Sequence, residues 1–419
     1  MLQRLSVSDG LCLFCGMQFR DVIGQSAIKQ QLVNLREQNR LSHALLVLGK
    51  EGSGGLPLAI AFAQYLVCEQ GRAKPTETSP SLFGDPEPVT TPALTATDSC
   101  GVCPACQKAA QLIHPDIHFS YPVIPKKSGD KPVSNDYIKQ WREFVQQQPY
   151  GNRFDWLQFI GAENQQGNIT AAECHEIIRK MSLKSFEAPY KILILWMPEL
   201  LGQDGNRLLK LIEEPPPDTL FLFVAENDEA IIQTILSRLQ LIKIPRLSVT
   251  EIANALQERE KLDPVKATQI AAISEGNYHE ALQQLQHADD DWDKFLRSWL
   301  NTIFRRNRAE QVKWIEDISK TGREKQKQFL AYFTHLLELA IRDRTLGLSL
   351  PVGETISPAV DMALRLNKQL DVPQLEAIAK ELDHAAYYIE RNANAKILFH
   401  ALTIKLYHII SNKSVILMP

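Results

Sequence analysis

Apolar positions in this chain fall into two alternating patterns, followed by a long stretch of one. Short runs of strand length occur at 44–48, 191–195 and 219–225, and they read as buried strands. Between them, Ile28, Leu32 and Leu35 recur at helical spacing, and Leu58 to Val67 is almost wholly apolar and long enough for a buried helix. Further helices are predicted at 135–147, 170–183 and 206–214, the last stopped by Pro215, Pro216 and Pro217. This alternation predicts an α/β fold with a parallel sheet flanked by helices. After Pro245 the strand signal disappears. The remainder is helical, with breaks near Gly276-Asn277, Thr321-Gly322 and 346–353. The expected division is an α/β domain over 17–247, a small helical domain over 248–288 and a larger helical bundle over 291–419.

A length of 419 residues fits this division, since it exceeds the usual size of one compact core. With 44% hydrophobic and 23% charged residues the composition is that of a soluble globular protein, and a net charge of -3 gives no global attraction to nucleic acid. Contact with DNA is therefore expected to be local or made through partners; the basic candidates are Lys126-Lys127 and Arg305-Arg306-Arg308, which also fit a solvated face. No apolar run approaches the roughly 20 residues of a membrane span. Residues 1–16 lack a secretory pattern and read as a disordered or upstream-start extension. Residues 69–99 carry Pro75, Pro80, Pro86, Pro88 and Pro92 among polar residues, a composition expected of a flexible insertion. Seven cysteines, three of them clustered, suit a reducing, cytoplasmic setting and a metal site better than a disulfide framework.

Two segments bear on nucleotide chemistry. Gly49, Lys50, Glu51, Gly52, Ser53, Gly54, Gly55 and Leu56 have the glycine frame of a phosphate-binding loop between a strand and a helix. A working loop needs a Lys for the outer phosphates and a hydroxyl for magnesium, but Gly55 and Leu56 occupy those positions. Lys50 lies five residues too early. The strand at 191–195 should end on an acidic pair that organises magnesium and water, and Trp196 and Met197 stand there instead, with Glu199 displaced beyond Pro198. The rival reading of the loop is a plain glycine-rich turn.

The segments FRDVIGQ (19–25), NRLLKLIEEPP (206–216) and LSRLQ (236–240) resemble bacterial clamp-loader ATPase subunits of the AAA+ class. The resemblance covers about 17–285; beyond it, ERNANAK (390–396) and the helical pattern carry the likeness. It implies a lid domain at 248–288 and an oligomerisation collar at 291–419. The substitutions at 55, 56, 196 and 197 resemble the delta-prime type of subunit, with a degenerate site in which ATP is not hydrolysed. His279 stands where the family's nucleotide-sensing arginine would fall. Ser237-Arg238 matches the family's Ser-Arg-Cys motif, with Leu239 for the cysteine, and the resemblance implies that Arg238 reaches a neighbouring subunit's site in trans. Without it, Arg238 reads as a helix cap or an exposed ion pair. The implied partners are gamma/tau and delta subunits, the sliding clamp (beta) and, through the assembled complex, primer-template DNA.

Cys100, Cys103 and Cys106 offer three thiolates at two-residue intervals, the ligand set of structural zinc. The fourth ligand is open among Cys68, Cys12, Cys15, His114 and His118. The resemblance implies Cys68, at the end of the helix after the glycine loop. Cys174 reads as a buried apolar residue.

Overall fold

The structure, a computed structural model, describes residues 17–70, 97–125, 127, 129–162, 165–286, 292–305, 307–346, 358–391 and 393–412. The extension expected at 1–16, with Cys12 and Cys15, and most of the insertion expected at 69–99 lie outside the described residues, as do Lys126 and Arg306. The chain divides into two units, 1–285 and 286–419.

In the first unit a helix α1 (Ser26–Glu37) leads into β1 (Ala44–Gly49), the glycine loop and α2 (Gly55–Val67), in which every residue after Gly55 is buried. The chain continues through α3 (Pro104–Ala110), β2 (Ile117–Ser120), α4 (Ile138–Gln147), α5 (Arg153–Phe159) and α6 (Ala171–Met181). After these come β3 (Lys191–Trp196), α7 (Leu209–Glu213), β4 (Thr219–Ala225), α8 (Gln233–Leu236) and β5 (Gln240–Ile244). Among the described residues the strands form one parallel sheet in the order β2-β3-β4-β1-β5. The three central strands are apolar on both sides because helices cover both faces: Leu45, Val47, Ile192, Ile194, Leu220 and Leu222 meet α2, whereas Leu46, Leu193, Leu195, Phe221 and Phe223 meet Cys174, Ile177 and Met181 of α6. Cys174 is thus a core residue.

Sequence periodicity misses the two edge strands and the short helices α3, α5 and α8. It also places the helix before the proline run too early. Residues 202–208 form a tighter 3-10 segment, and only α7 is α-helical. The close packing there is visible at Gly205, where a side-chain carbon would come within 2.9 Å of Ile235.

Three helices complete the first unit: α9 (Val249–Glu260), α10 (Pro264–Ile273) and α11 (Tyr278–Gln286). Their core joins Ile252, Leu256, Ala267, Ala271, Tyr278 and Ala281 with Ile23 and Tyr150. The second unit is all-helical among its described residues: α12 (Trp292–Arg305), α13 (Arg308–Lys320), α14 (Arg323–Leu346), α15 (Pro358–Gln369), α16 (Val372–Glu390) and α17 (Ala395–Asn412). Its core is organised by Trp299, stacked on Trp314 at 4.6 Å, with the indole N–H donating to Thr403. No helix of the described residues is long and apolar enough to cross a membrane.

Candidate functional site

The glycine loop runs from β1 into α2 at the C-terminal edge of the sheet, the position at which open α/β sheets hold ligands. Gly52 and Gly54 adopt φ of +70° and +93°, conformations that disfavour any side chain. Gly49 lies against Ile244, and Gly55 against Val224. Leu56 is buried in the core, so a leucine packs where a hydroxyl would meet a metal. Lys50 is exposed. Trp196, at the end of β3, packs on Trp141 with ring centroids 5.3 Å apart. Met197 is buried in a left-handed conformation at φ 62°. Glu199 accepts the backbone N–H groups of Glu226 at 2.7 Å and Asn227 at 2.9 Å, so it braces the turn after β4.

Residues far apart in sequence fill the mouth of this cleft. Tyr150, in the turn between α4 and α5, lies over Gly54, where an added Cβ would come within 3.1 Å of its ring. Its hydroxyl accepts the Ile23 N–H at 2.8 Å, and its ring meets the Tyr278 ring edge-on at 5.0 Å. The Tyr278 N–H donates to the Gly52 carbonyl, placing the start of α11 directly on the glycine loop. The cleft lined by Gly54, Gly55, Tyr150, Trp196 and Glu226 leaves a cavity volume of about 30 Å³.

His279, on the first turn of α11, is ion-paired to both sides. Its Nδ1 lies 2.9 Å from Glu51 of the glycine loop, and its Nε2 lies 2.5 Å from Asp155 of α5. Asn152, the N-cap of α5, donates from Nδ2 to the same Glu51 oxygen at 3.2 Å. Burial opposes the charged imidazole, but hydrogen bonds with Asp155 and Glu51 and their charges outweigh it and raise the His279 pKa to about 10. Burial, with the Glu51 and Glu199 charges, pushes Glu226 up to about 8. Tyr150, Asn152, Asp155 and Glu226 were not singled out from sequence, and Glu51 only as a member of the glycine loop. The one local signal was Asn152 three residues before Asp155, a capping-box spacing that marks the start of α5.

On the opposite edge of β1 from β4, α8 leads into β5 through Ser237 and Arg238. The Arg238 guanidinium pairs with Glu213 at the end of α7, with Nε donating to its Oε1 at 2.6 Å, and Nη1 donating to the Thr234 carbonyl at 2.6 Å. Within this chain Arg238 therefore both caps α8 and forms an ion pair. Its side chain and that of Glu213 remain 35% and 46% exposed, whereas the His279 side chain of the cleft is 8% exposed.

Cys68 closes α2, Cys100 and Cys103 lie in the turn that precedes α3, with Cys103 as its N-cap, and Cys106 sits in the first turn of α3. Their four sulfurs lie within 4.8 Å of one another. Zinc–sulfur bonds of about 2.3 Å in a tetrahedron require sulfurs about 3.8 Å apart, and Cys100 and Cys106 are at 3.9 Å. Backbone N–H groups of Cys100, Cys103 and Cys106 point at the sulfurs of Cys68, Cys100 and Cys103. Burial works against ionising Cys100, yet hydrogen bonds from Val102 and Cys103 bring it down to about 7. The donor set fits a metal such as zinc. The histidines lie elsewhere: His114 pairs with Glu187 at 3.3 Å, and burial beside Lys191 lowers His118 to about 4. Arg305, Arg308 and Lys127 are exposed.

A sequence model of the family described as DNA polymerase III, delta subunit, matches residues 24–82 and 90–248, more than half of the chain. The delta' subunit of DNA polymerase III from Bacillus subtilis is 24% identical over 260 residues, covering 62% of this chain and 58% of that protein's length. The delta' subunit from Haemophilus influenzae is 25% identical over 306 residues, covering 69% and 72%. Among solved structures, a DNA polymerase III gamma subunit-related protein from Thermotoga maritima aligns over 90% of this chain and 98% of its own, with 14% identity and a TM-score of 0.37.

Proposed function

The chain belongs to the DNA polymerase III delta subunit family of clamp-loader proteins, and from that premise we propose that it is a delta-prime-like, non-hydrolysing subunit of the replicative clamp loader. It helps place the sliding clamp on primer-template DNA beside gamma/tau and delta subunits. It donates Arg238 in trans to the nucleotide site of a neighbouring ATPase subunit. In this reading α9–α11 act as the lid and 291–419 as the collar through which subunits assemble, while zinc on Cys68, Cys100, Cys103 and Cys106 is a structural staple.

The observation that carries this reading is the filled cleft. Phosphoryl transfer needs a cation for the outer phosphates, a metal-bound hydroxyl and a carboxylate. Here the corresponding positions are Gly55, Leu56, Trp196 and Met197, and the remaining space is about 30 Å³. Lys50 lines the cleft but lies five residues before the position of a phosphate-binding lysine, and Glu199 is engaged by two backbone N–H groups. Arg238, by contrast, is exposed and rigidly charged, which suits a group that stabilises phosphate charge on another protomer.

The decisive experiment has two arms. The purified chain, titrated with magnesium-ATP, should neither bind it nor release phosphate. Reassembled with gamma/tau and delta subunits, the Arg238→Ala form should lower DNA-stimulated ATP turnover. Turnover by the isolated chain, or a loader indifferent to Arg238→Ala, would overturn the proposal.

A further inference from the structure

Resting on the trans role of Arg238, we infer that Glu213 is a positioning residue that holds this arginine in its own subunit until a neighbour's phosphate displaces it. A guanidinium has five N–H donors. In this chain Nε and Nη2 both face the Glu213 carboxylate, while Nη1 donates to the Thr234 carbonyl and lies 3.2 Å from the Ser237 hydroxyl oxygen. That leaves one N–H of Nη2 for anything outside the chain. A phosphate group is gripped best by two parallel N–H donors from one edge of the fork. To present such an edge, Arg238 must leave a partner.

The geometry indicates which one. The Thr234 carbonyl and Ser237 hydroxyl belong to the same turn as Arg238 and move with it, so the Nη1 contacts survive a swing of the side chain tip least disturbed when the other edge is exchanged. Glu213 belongs to a separate element: α7 ends at this residue, and Glu214 leaves the helix at φ -124°, ψ 68° ahead of Pro215. The carboxylate therefore acts as a separate berth. It offers one negative charge at a half-exposed position, whereas a triphosphate offers several.

An exposed ion pair of this kind is weak, which lets it be exchanged and still defines where the free guanidinium waits. Two consequences follow for the assembled loader. The negative charge of Glu213 competes with the neighbour's nucleotide for the same edge, so it lowers the finger's occupancy of the trans site. It also keeps Arg238 from pairing with other carboxylates when no triphosphate is present.

The test is a double-mutant cycle in the reconstituted loader, with steady-state ATP turnover measured across ATP concentrations. Glu213→Gln keeps the size and an acceptor oxygen but removes the charge. It should raise kcat/KM for ATP about twofold to fivefold, the range an exposed pair is worth. Glu213→Asp should stay near wild type. In an Arg238→Ala background, Glu213→Gln should change nothing. Thermal melting of each variant confirms that the fold is intact. If Arg238→Ala slows turnover but Glu213→Gln leaves kcat/KM unchanged or lowers it, the berth is overturned and the finger stands. An increase from Glu213→Gln that persists without Arg238 also overturns it, because the effect would then not pass through the arginine. If Arg238→Ala itself has no effect, both fall together.

Discussion

The cleft above the glycine loop and the edge that carries Arg238 belong to the same sheet, yet they hold their charged groups in opposite ways. In the cleft, His279 is buried and fixed between Glu51 and Asp155, Tyr150 is buried over Gly54, and Trp196 packs into an aromatic cluster. At the edge, Arg238 and Glu213 are each more than a third exposed and are held by a single ion pair and a helix-capping contact. The lesson is physical. In the cleft, where Gly55 and Leu56 bring neither a cation nor a hydroxyl, internal packing ties three elements together; at the edge, the charged pair faces outward and its contacts are of the weak, exposed kind.

The sharpest way to break this contrast is to remove Arg238. Arginines supplied in trans are worth on the order of 10³–10⁵ in rate in other nucleotide hydrolases, so if Arg238 acts in trans as proposed, Arg238→Ala should slow hydrolysis at the neighbouring site by about 10³-fold, measured as phosphate release by the assembled loader. The same change should lower the isolated subunit's unfolding free energy by no more than about 1 kcal/mol, what an exposed ion pair is worth. His279→Ala should give the reverse pattern. Removing one partner from a buried ion pair costs about 3–5 kcal/mol, and urea denaturation should register a loss of that order without loss of Arg238-dependent turnover at temperatures where the variant is folded.

A smaller effect separates the two regions by pH. His279 has a folded pKa of about 10, above its unfolded value, so its contribution is complete below about pH 6.5 and declines as pH rises through 10. Glu226, raised to about 8, also binds its proton more tightly in the folded state, so stability falls as pH rises from about 4.5 to 8. His279→Gln should flatten the upper part of the stability profile and Glu226→Gln the lower; an unchanged profile for both would show that the cluster does not link protons to folding. The smallest expected effect is none at all. Gly55→Lys combined with Leu56→Thr restores a lysine and a hydroxyl but leaves Tyr150, Trp196 and Met197 in place, so magnesium-ATP should still leave tryptophan fluorescence unchanged. A saturable change would show that the cleft was lost for want of two residues rather than filled.

The central strands were legible because burial on both faces leaves an unbroken apolar run, as in Lys191–Trp196 and Thr219–Ala225. The edge strands were not. Gln240–Ile244 turns Gln240, Leu241 and Lys243 outward, and Ile117–Ser120 is only four residues long, so neither carries enough apolar contrast to stand out. The thiol cluster was readable because three of its members, Cys100, Cys103 and Cys106, sit within seven residues. The side chains filling the cleft were not, because Glu51, Tyr150, Asp155 and His279 come from four separate elements, and only the folded sheet brings them to one place. For Arg238 the motif marked the residue but not its resting partner: nothing in Glu213 itself distinguishes it from its neighbour Glu214.

The meeting of Cys68 with Cys100 has a practical corollary. Chain that leaves the sheet domain at one of these thiols returns at the other, so the connecting stretch begins and ends at essentially one point. Lengthening a closed loop is inexpensive, with each doubling adding only about 0.6 kcal/mol of closure entropy. A reporter peptide or a fluorescent domain spliced between these two cysteines should therefore ride on the subunit without shifting the end of α2 or the start of α3, which makes this crossing a suitable handle for following the protein inside a larger assembly.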